Sequence, residues 1–234
     1  MGAALLEFDG IHVTRGSFAL SADLTISKGA RVAVIGPSGS GKSTLLSLVG
    51  GFLAPDQGRI RVNGQDITAL PPGQRPVSML FQDQNLFPHL TVAQNVGLGL
   101  RPDLRLSEAQ RARVAQVLAE VGLEGMNSRR PANLSGGQQG RVALARVLLR
   151  ARPVLLLDEP FAALGPALKG EMLALLARIA DRTDATVLMV THDPDDARSF
   201  APWTILVDDG VAHPPAPTGP LLDNPPPGLR AYLG

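Results

Sequence analysis

Short apolar runs and two-residue alternations dominate the first eighty positions. Residues 5–8 and 11–14 predict short strands, and residues 18–26 alternate Leu20, Ala22, Leu24 and Ile26 with more polar neighbours, the period of a half-buried strand. Arg31–Ile35 is apolar after its first residue, which predicts a strand covered on both faces. It empties into a glycine-rich turn, residues 36–41, and then into a helix-capable stretch, 42–49, stopped by Gly50-Gly51. Residues 58–62 and 65–67 flank Asn63-Gly64 and predict a hairpin, because Asn-Gly readily takes the positive φ angles of a tight turn. After the Pro71-Pro72-Gly73 break, residues 77–80 predict a short strand running into Gln82.

From there to about residue 150 the period becomes helical. Thr91 with Gln94, and Ser107 with Gln110, match capping boxes, and Val114, Val117, Leu118 and Val121 recur at helical spacing. A helical subdomain, 83–150, is therefore predicted as an insertion into an α/β core made of residues 1–82 and 151–212. Sheet character returns at 154–157, followed by a helix over 166–182, an apolar strand at Thr186–Val190 and a final strand at 204–207. That alternation predicts parallel pairing. Residues 213–228 are rich in proline and are expected to be extended or loosely packed, as part of a tail over 213–234. Phe200 and Trp203 are expected in the core, and Leu173, Leu176 and Ile179 between helix and sheet. No repeat of solenoid or propeller period is present.

The chain has 234 residues, enough for one large or two modest domains. Lys and Arg number 22 against 21 Asp and Glu, without long runs of one sign, so a general polyanion binder is not expected. The hydrophobic content of 44% argues against global disorder, and no apolar run approaches the roughly 20 residues of a membrane span. Cysteine is absent, which excludes a disulfide framework, a thiolate metal site and a cysteine nucleophile, and suits a reducing compartment. The first ten residues lack a secretory pattern, and Leu6 stands where a myristoylation site needs Ser or Thr. His12, His89 and His213 lack the spacing of a helical metal pair.

The strongest chemical signal is Gly36-Pro37-Ser38-Gly39-Ser40-Gly41-Lys42-Ser43-Thr44, a complete G-x-x-x-x-G-K-S placed between strand and helix. Such a loop lets successive amides and a helix start face phosphate oxygens, with Lys42 reaching the β- and γ-phosphates and Ser43 holding Mg²⁺. Asp158 and Glu159 follow an apolar strand. Beside a phosphate loop, they suit a Mg²⁺ carboxylate and a general base, and the strand's pleat would point them apart. Ser135-Gly136-Gly137-Gln138 opens a second helix and is read either as another anion site or as an ordinary N-cap. Two such helix starts in one chain suggest a nucleotide shared between two copies.

Taken in order, the phosphate loop, Gln82, Leu134-Ser135-Gly136-Gly137-Gln138, the run ending in Asp158-Glu159, and Thr191-His192-Asp193 resemble the ATP-binding subunits of ABC transporters over nearly the whole chain. The resemblance implies a P-loop NTPase fold of class α/β. It has a mostly parallel core sheet, an N-terminal antiparallel β subdomain and an inserted helical subdomain. It also implies a head-to-tail dimer holding two ATP molecules, each between the phosphate loop of one copy and Ser135, Gly136, Gly137 and Gln138 of the other. Gln82 would contact Mg²⁺ or the attacking water and, with loop 85–89, transmit closure to two membrane permease subunits. His192 would hold the γ-phosphate. Arg75-Pro76-Val77-Ser78-Met79-Leu80-Phe81-Gln82 and residues 90–100 resemble, more narrowly, the thiamine-importer ATPases of bacteria. The expected activity is ATP hydrolysis driving import of thiamine or its phosphates, with a secreted solute-binding protein as indirect partner. The expected location is peripheral, on the cytoplasmic face of the inner membrane. An importer of an anion or polyamine is the near alternative. A soluble ABC ATPase acting on nucleic acid is the distant one, disfavoured by a single cassette and near-neutral charge.

Three departures stand out. Ala162-Ala163-Leu164-Gly165 lacks the family's usual acid at its last position, which predicts slow or weakly cooperative turnover. Arg15 occupies the place of the Tyr that commonly stacks on adenine, and its guanidinium plane can also stack on a base. Gly140 is unfavourable within a helix by about 1 kcal/mol and is expected to shorten it by a turn.

Overall fold

A computed structural model describes residues 3–83 and 85–233. The chain opens with β1 (Ala4–Arg15) and β2 (Phe18–Ser27) paired antiparallel. β1 is continuous where two short strands were predicted. The register shifts between Phe8 and Ile11, and Gly10 sits at φ 57, so the polar interruption is absorbed as a bulge. β4 (Gln57–Val62) extends this sheet and turns through Asn63 and Gly64, at φ 52 and 74, into β5 (Gln65–Asp66).

Parallel strands form the other half, in the order β9 (Trp203–Asp208), β3 (Arg31–Ile35), β8 (Thr186–Val190), β7 (Val154–Asp158) and β6 (Val77–Leu80). Both faces of this sheet are covered, as the apolar runs require. Val32, Val34, Val154, Leu156, Leu188 and Val190 face α1 (Lys42–Gly50) and the antiparallel strands. Ala33, Ile35, Leu155, Leu157, Val187 and Met189 face the other way. There they meet α4 (Gly136–Leu149), α5 (Pro166–Thr183) and α6 (Pro194–Phe200). Two-residue β10 (Val211–Ala212) joins the halves, running parallel to β2 and antiparallel to β9. β11 (Ala216–Pro217) pairs with β9.

α2 (Val92–Gly97) and α3 (Glu108–Glu120) pack with α4 into the predicted helical insertion, and both expected capping boxes are complete. Buried Asn95 fixes the loop before α2. Its Oδ1 accepts from the Phe87 amide, while Nδ2 donates to the carbonyls of Phe87, Leu90 and Thr91. Arg75 is also buried and has carbonyls around its guanidinium. It donates to Leu48 and Val49 at the end of α1, and to Thr68 and Leu70. Arg75 thereby adds side-chain donors to the carbonyls of the last turn of α1, where intrahelical amides run out.

Three expectations need correction. α4 runs unbroken through buried Gly140, because tertiary packing outweighs a propensity cost of about 1 kcal/mol. Residues 213–228 are not loose: α7 (Thr218–Asp223) and α8 (Pro227–Leu233) bury Leu222 and Leu229. Pro217 precedes α7 and Pro227 opens α8, positions where the missing amide costs nothing. Phe200 is buried as expected, whereas Trp203 is 38% exposed at the start of β9.

Candidate nucleotide site

The phosphate loop lies between β3 and α1, beside the end of β9. Gly36, at φ 149, passes so close that a Cβ would stand 2.0 Å from the carbonyl oxygen of Val207. Gly41, at φ 112, opens α1 with no side chain capping the helix. Lys42 is 9% exposed, and its Nζ donates to the carbonyls of Gly36 at 2.8 Å and Pro37 at 2.7 Å. Burial lowers its pKa, opposed by the charges of Glu159 and Asp158. Ser40 Oγ is buried and has no hydrogen-bond partner among the described residues. Ser43 Oγ donates to Asp158 Oδ1 at 3.1 Å. Burial is the main influence raising the Asp158 pKa and neighbouring Glu159 adds to it, against the Ser43 hydrogen bond and Lys42.

The two carboxylates diverge for a different reason from the predicted one. Asp158 ends β7, but Glu159 has left the pleat for the left-handed region at φ 46, with its amide donating to Val190 of β8 at 3.1 Å. A non-glycine residue there stores backbone strain of about 1 kcal/mol or more, a feature common at reacting centres. Its Oε2 is 3.0 Å from Nδ1 of His192, an exposed residue just beyond β8. Lys169 of α5 pairs with Asp193 and, at 2.9 Å, with Asp196. Thr191 Oγ1 donates to Asp196 at 2.9 Å. The phosphate loop, Asp158, Glu159 and His192 thus meet at the carboxyl ends of three adjacent parallel strands, β3, β7 and β8.

Gln82 is exposed two residues beyond β6. Ser135 and Gln138 close a capping box of their own: Ser135 Oγ accepts from the Gln138 amide and Gln138 Oε1 from the Ser135 amide. The ordinary N-cap reading is therefore realised, yet the Ser135 hydroxyl proton stays available to an acceptor. Ser135 and Gly136 are exposed, and among the described residues no hydrogen bond or ion pair joins residues 135–138 to the phosphate loop.

Arg15 donates to Asp56 Oδ1 at 3.0 Å and to the carbonyls of Ala54 and Thr14. Opposite it in the hairpin register stands Phe18, whose ring packs against Gly41. Directly opposed residues share one face of a sheet. Phe18 also lines a hollow of about 490 Å³ with Pro37, Ser38, Gly39 and Ser40. Sequence reading passed over Phe18, although the alternation through Leu20 and Ala22 carries its parity.

Among the described residues no helix is long and apolar enough to cross a membrane, and no three His, Asp or Glu side chains form a metal cluster. The sequence model of the family described as ABC transporter matches residues 20–162. A protein of Cereibacter sphaeroides named thiamine import ATP-binding protein ThiQ is 63% identical over 98% of this chain and all of its own length. Its namesake in Yersinia pseudotuberculosis is 52% identical, covering 94% of this chain and 93% of its own. A solved ATP-binding cassette, in a dimeric post-hydrolysis state bound to ADP and Pi, superposes with a TM-score of 0.76 at 30% identity. That match covers 92% of this chain and 99% of the cassette. A second, an ATP-binding cassette of an ABC transporter in its ADP conformation, has a TM-score of 0.89 at 24% identity over 99% of both chains and shares the fold. With a phosphate loop, paired carboxylates and a histidine converging at the carboxyl ends of adjacent parallel strands, this chain belongs to the ABC transporter family.

Proposed function

We propose that the chain is the ATP-hydrolysing motor of an importer for thiamine or its phosphates. The observation that carries the hydrolytic reading is the convergence of Lys42, Ser43, Asp158, Glu159 and His192 at the ends of β3, β7 and β8. The substrate reading is supported by the names of relatives at 52–63% identity.

The residues present fit ATP and Mg²⁺. Ser40 Oγ is a buried polar atom without a partner among the described residues, and Lys42 spends its ammonium on loop carbonyls that triphosphate oxygens would replace. The amides and side chains of residues 36–44 would cradle the phosphates. Ser43, Asp158 and Gln82 would hold Mg²⁺, whose bound charge offsets that of the phosphates. A site sharing its ion with substrate phosphates needs no all-protein cage. The Glu159 carboxylate takes the proton of the attacking water as its oxygen bonds to the γ-phosphorus and the bond to the β-phosphate oxygen breaks. With Nδ1 turned to Glu159, His192 has Nε2 left for the γ-phosphate. Arg15 and Phe18, facing each other across β1 and β2, form the adenine platform.

The second anion site is supplied in trans. In a head-to-tail dimer, Ser135, Gly136, Gly137 and Gln138 of one copy close over the nucleotide of the other. Closure is passed by Gln82 and loop 85–89 to two permease subunits at the cytoplasmic face of the inner membrane, served by a secreted binding protein. Work comes from the greater affinity of ATP for the closed dimer. Residues 1–82 with 151–212 act as the nucleotide-binding body, 83–150 as the arm carrying α4, and 213–234 as a C-terminal segment.

Uptake of labelled thiamine by cells lacking this gene, restored by wild type and not by Glu159→Gln, is the expected result. Unchanged uptake in the deletion would remove thiamine as the solute.

A further inference from the structure

Residues 191–193 form a short link between β8 and α6, and three elements hold it. Glu159 meets the imidazole of His192, and Lys169 grips Asp193. The third contact comes from the end of the described chain: the hydroxyl of Tyr232 in α8 donates to the backbone carbonyl of His192 at 2.8 Å. α8 is itself anchored. Leu229 is fully buried, and Gly228 lies so close to β9 that a Cβ would stand 1.8 Å from Asp208 Oδ2. Burial raises the phenol pKa of Tyr232, with the charges of Glu159 and Asp193 adding, so it remains a protonated donor.

We infer that Tyr232 is a positioning residue for the γ-phosphate contact, fixing the peptide of His192 so that its imidazole meets the third phosphate of a bound nucleoside triphosphate. A carbonyl held by a donor on a packed helix sets the direction of its own Cα–Cβ bond. The Glu159 contact alone restrains only the ring. This device makes α8 part of the switch that tells triphosphate from diphosphate. The inference rests on the proposed contact between His192 and the γ-phosphate.

The test compares affinities of the full chain for the Mg²⁺ complexes of ADP and of the non-hydrolysable triphosphate AMP-PNP, by calorimetric titration. Tyr232→Phe removes only the hydroxyl. It is expected to weaken AMP-PNP about fivefold with ADP affinity unchanged; because the bond is already made in the nucleotide-free chain, the melting temperature should fall by only about 2–4 °C. Combined with His192→Ala, it should add nothing to the loss that His192→Ala causes alone. Equal weakening of both nucleotides, no weakening of either, or a selective loss that persists beside His192→Ala would each overturn the inference. A general loosening would weaken both nucleotides alike, so the ratio of the two affinities, read well below the melting temperature, keeps the comparison decisive. His192→Ala alone separates the two levels: if it leaves the preference for AMP-PNP intact, the reading of His192 fails before Tyr232 is considered.

Discussion

Nδ1 of His192 lies 3.0 Å from Oε2 of Glu159, bridging the ends of two parallel strands whose backbones are already joined by the Glu159 amide and the Val190 carbonyl. One carboxylate is thus held by its own strained backbone and by a neighbouring ring. Glu159→Gln keeps the size and a hydrogen-bonding amide but loses the carboxylate proposed as the base. Turnover of ATP should fall at least about 100-fold while ATP affinity stays within about threefold. Steady-state phosphate release and equilibrium binding read the two quantities separately.

Two adjacent glycines at the start of α4 should respond differently. A Cβ on Gly137 would stand 2.5 Å from Leu168 Cδ2, so Gly137→Ala obliges the half-buried Leu168 side chain of α5 to turn aside within one chain. A Cβ on Gly136 meets nothing closer than Leu164 at 3.9 Å. Gly136→Ala should therefore leave the melting temperature of the nucleotide-free chain unchanged or slightly raised, because alanine is the better helix former, and Gly137→Ala should leave it below that of Gly136→Ala. If Gly136→Ala nonetheless reduces ATPase activity several-fold, the clash lies outside its own chain, as the shared-nucleotide dimer requires. Full activity would count against that dimer.

Gly165 precedes α5 in extended conformation, with open space around its Cβ position and no side chain capping the helix. Aspartate fits there as an N-cap and should add only a few tenths of a kcal/mol over glycine. An increase in ATPase rate and Hill coefficient in Gly165→Asp, with melting temperature moved by no more than about 2 °C, would trace slow or weakly cooperative turnover to the missing acid. An unchanged rate and coefficient would clear Gly165 of that role.

Lys169 couples stability to pH. Burial is the largest single influence on it and lowers its pKa, but the hydrogen bonds it donates to Asp193 and Asp196 carry the net shift upward. The Lys169 hydrogen bond holds Asp193 below the usual carboxylate range. A raised lysine stabilises the fold below its unfolded pKa and loses that contribution as pH rises through the folded one. A lowered aspartate stabilises above its unfolded pKa and loses that contribution as pH falls through the folded one. Lys169→Met should therefore cost most between about pH 4 and pH 10, with the gap to wild type closing at either extreme. Denaturant melts across that range would show it, and a gap independent of pH would assign the cost to packing instead.

Much of this site is legible in the sequence because its determinants are local. The phosphate loop depends on glycines at fixed offsets, and the strand ends depend on apolar runs giving way to carboxylates. The capping boxes at Thr91, Ser107 and Ser135 each close within three residues. What stayed hidden depends on residues far apart in the chain. Proline-rich spacing predicted a loose tail, yet Leu222 and Leu229 find a core made by other elements. Trp203 is core-forming by type, but at the start of β9, between Val32 of β3 and Pro217 of β11, its side chain stays 38% exposed.

The order of the elements, the two-faced burial of the parallel strands and the identity of the phosphate loop were determined by sequence alone, since periodicity and short motifs carry them. Only the tertiary structure decided that Glu159 leaves the pleat, that Phe18 faces the phosphate loop opposite Arg15, and that Tyr232 reaches the carbonyl of His192. Each of these is set by strand pairing or helix docking between distant segments. The free energy of such contacts comes from surfaces that exist only once the chain has folded.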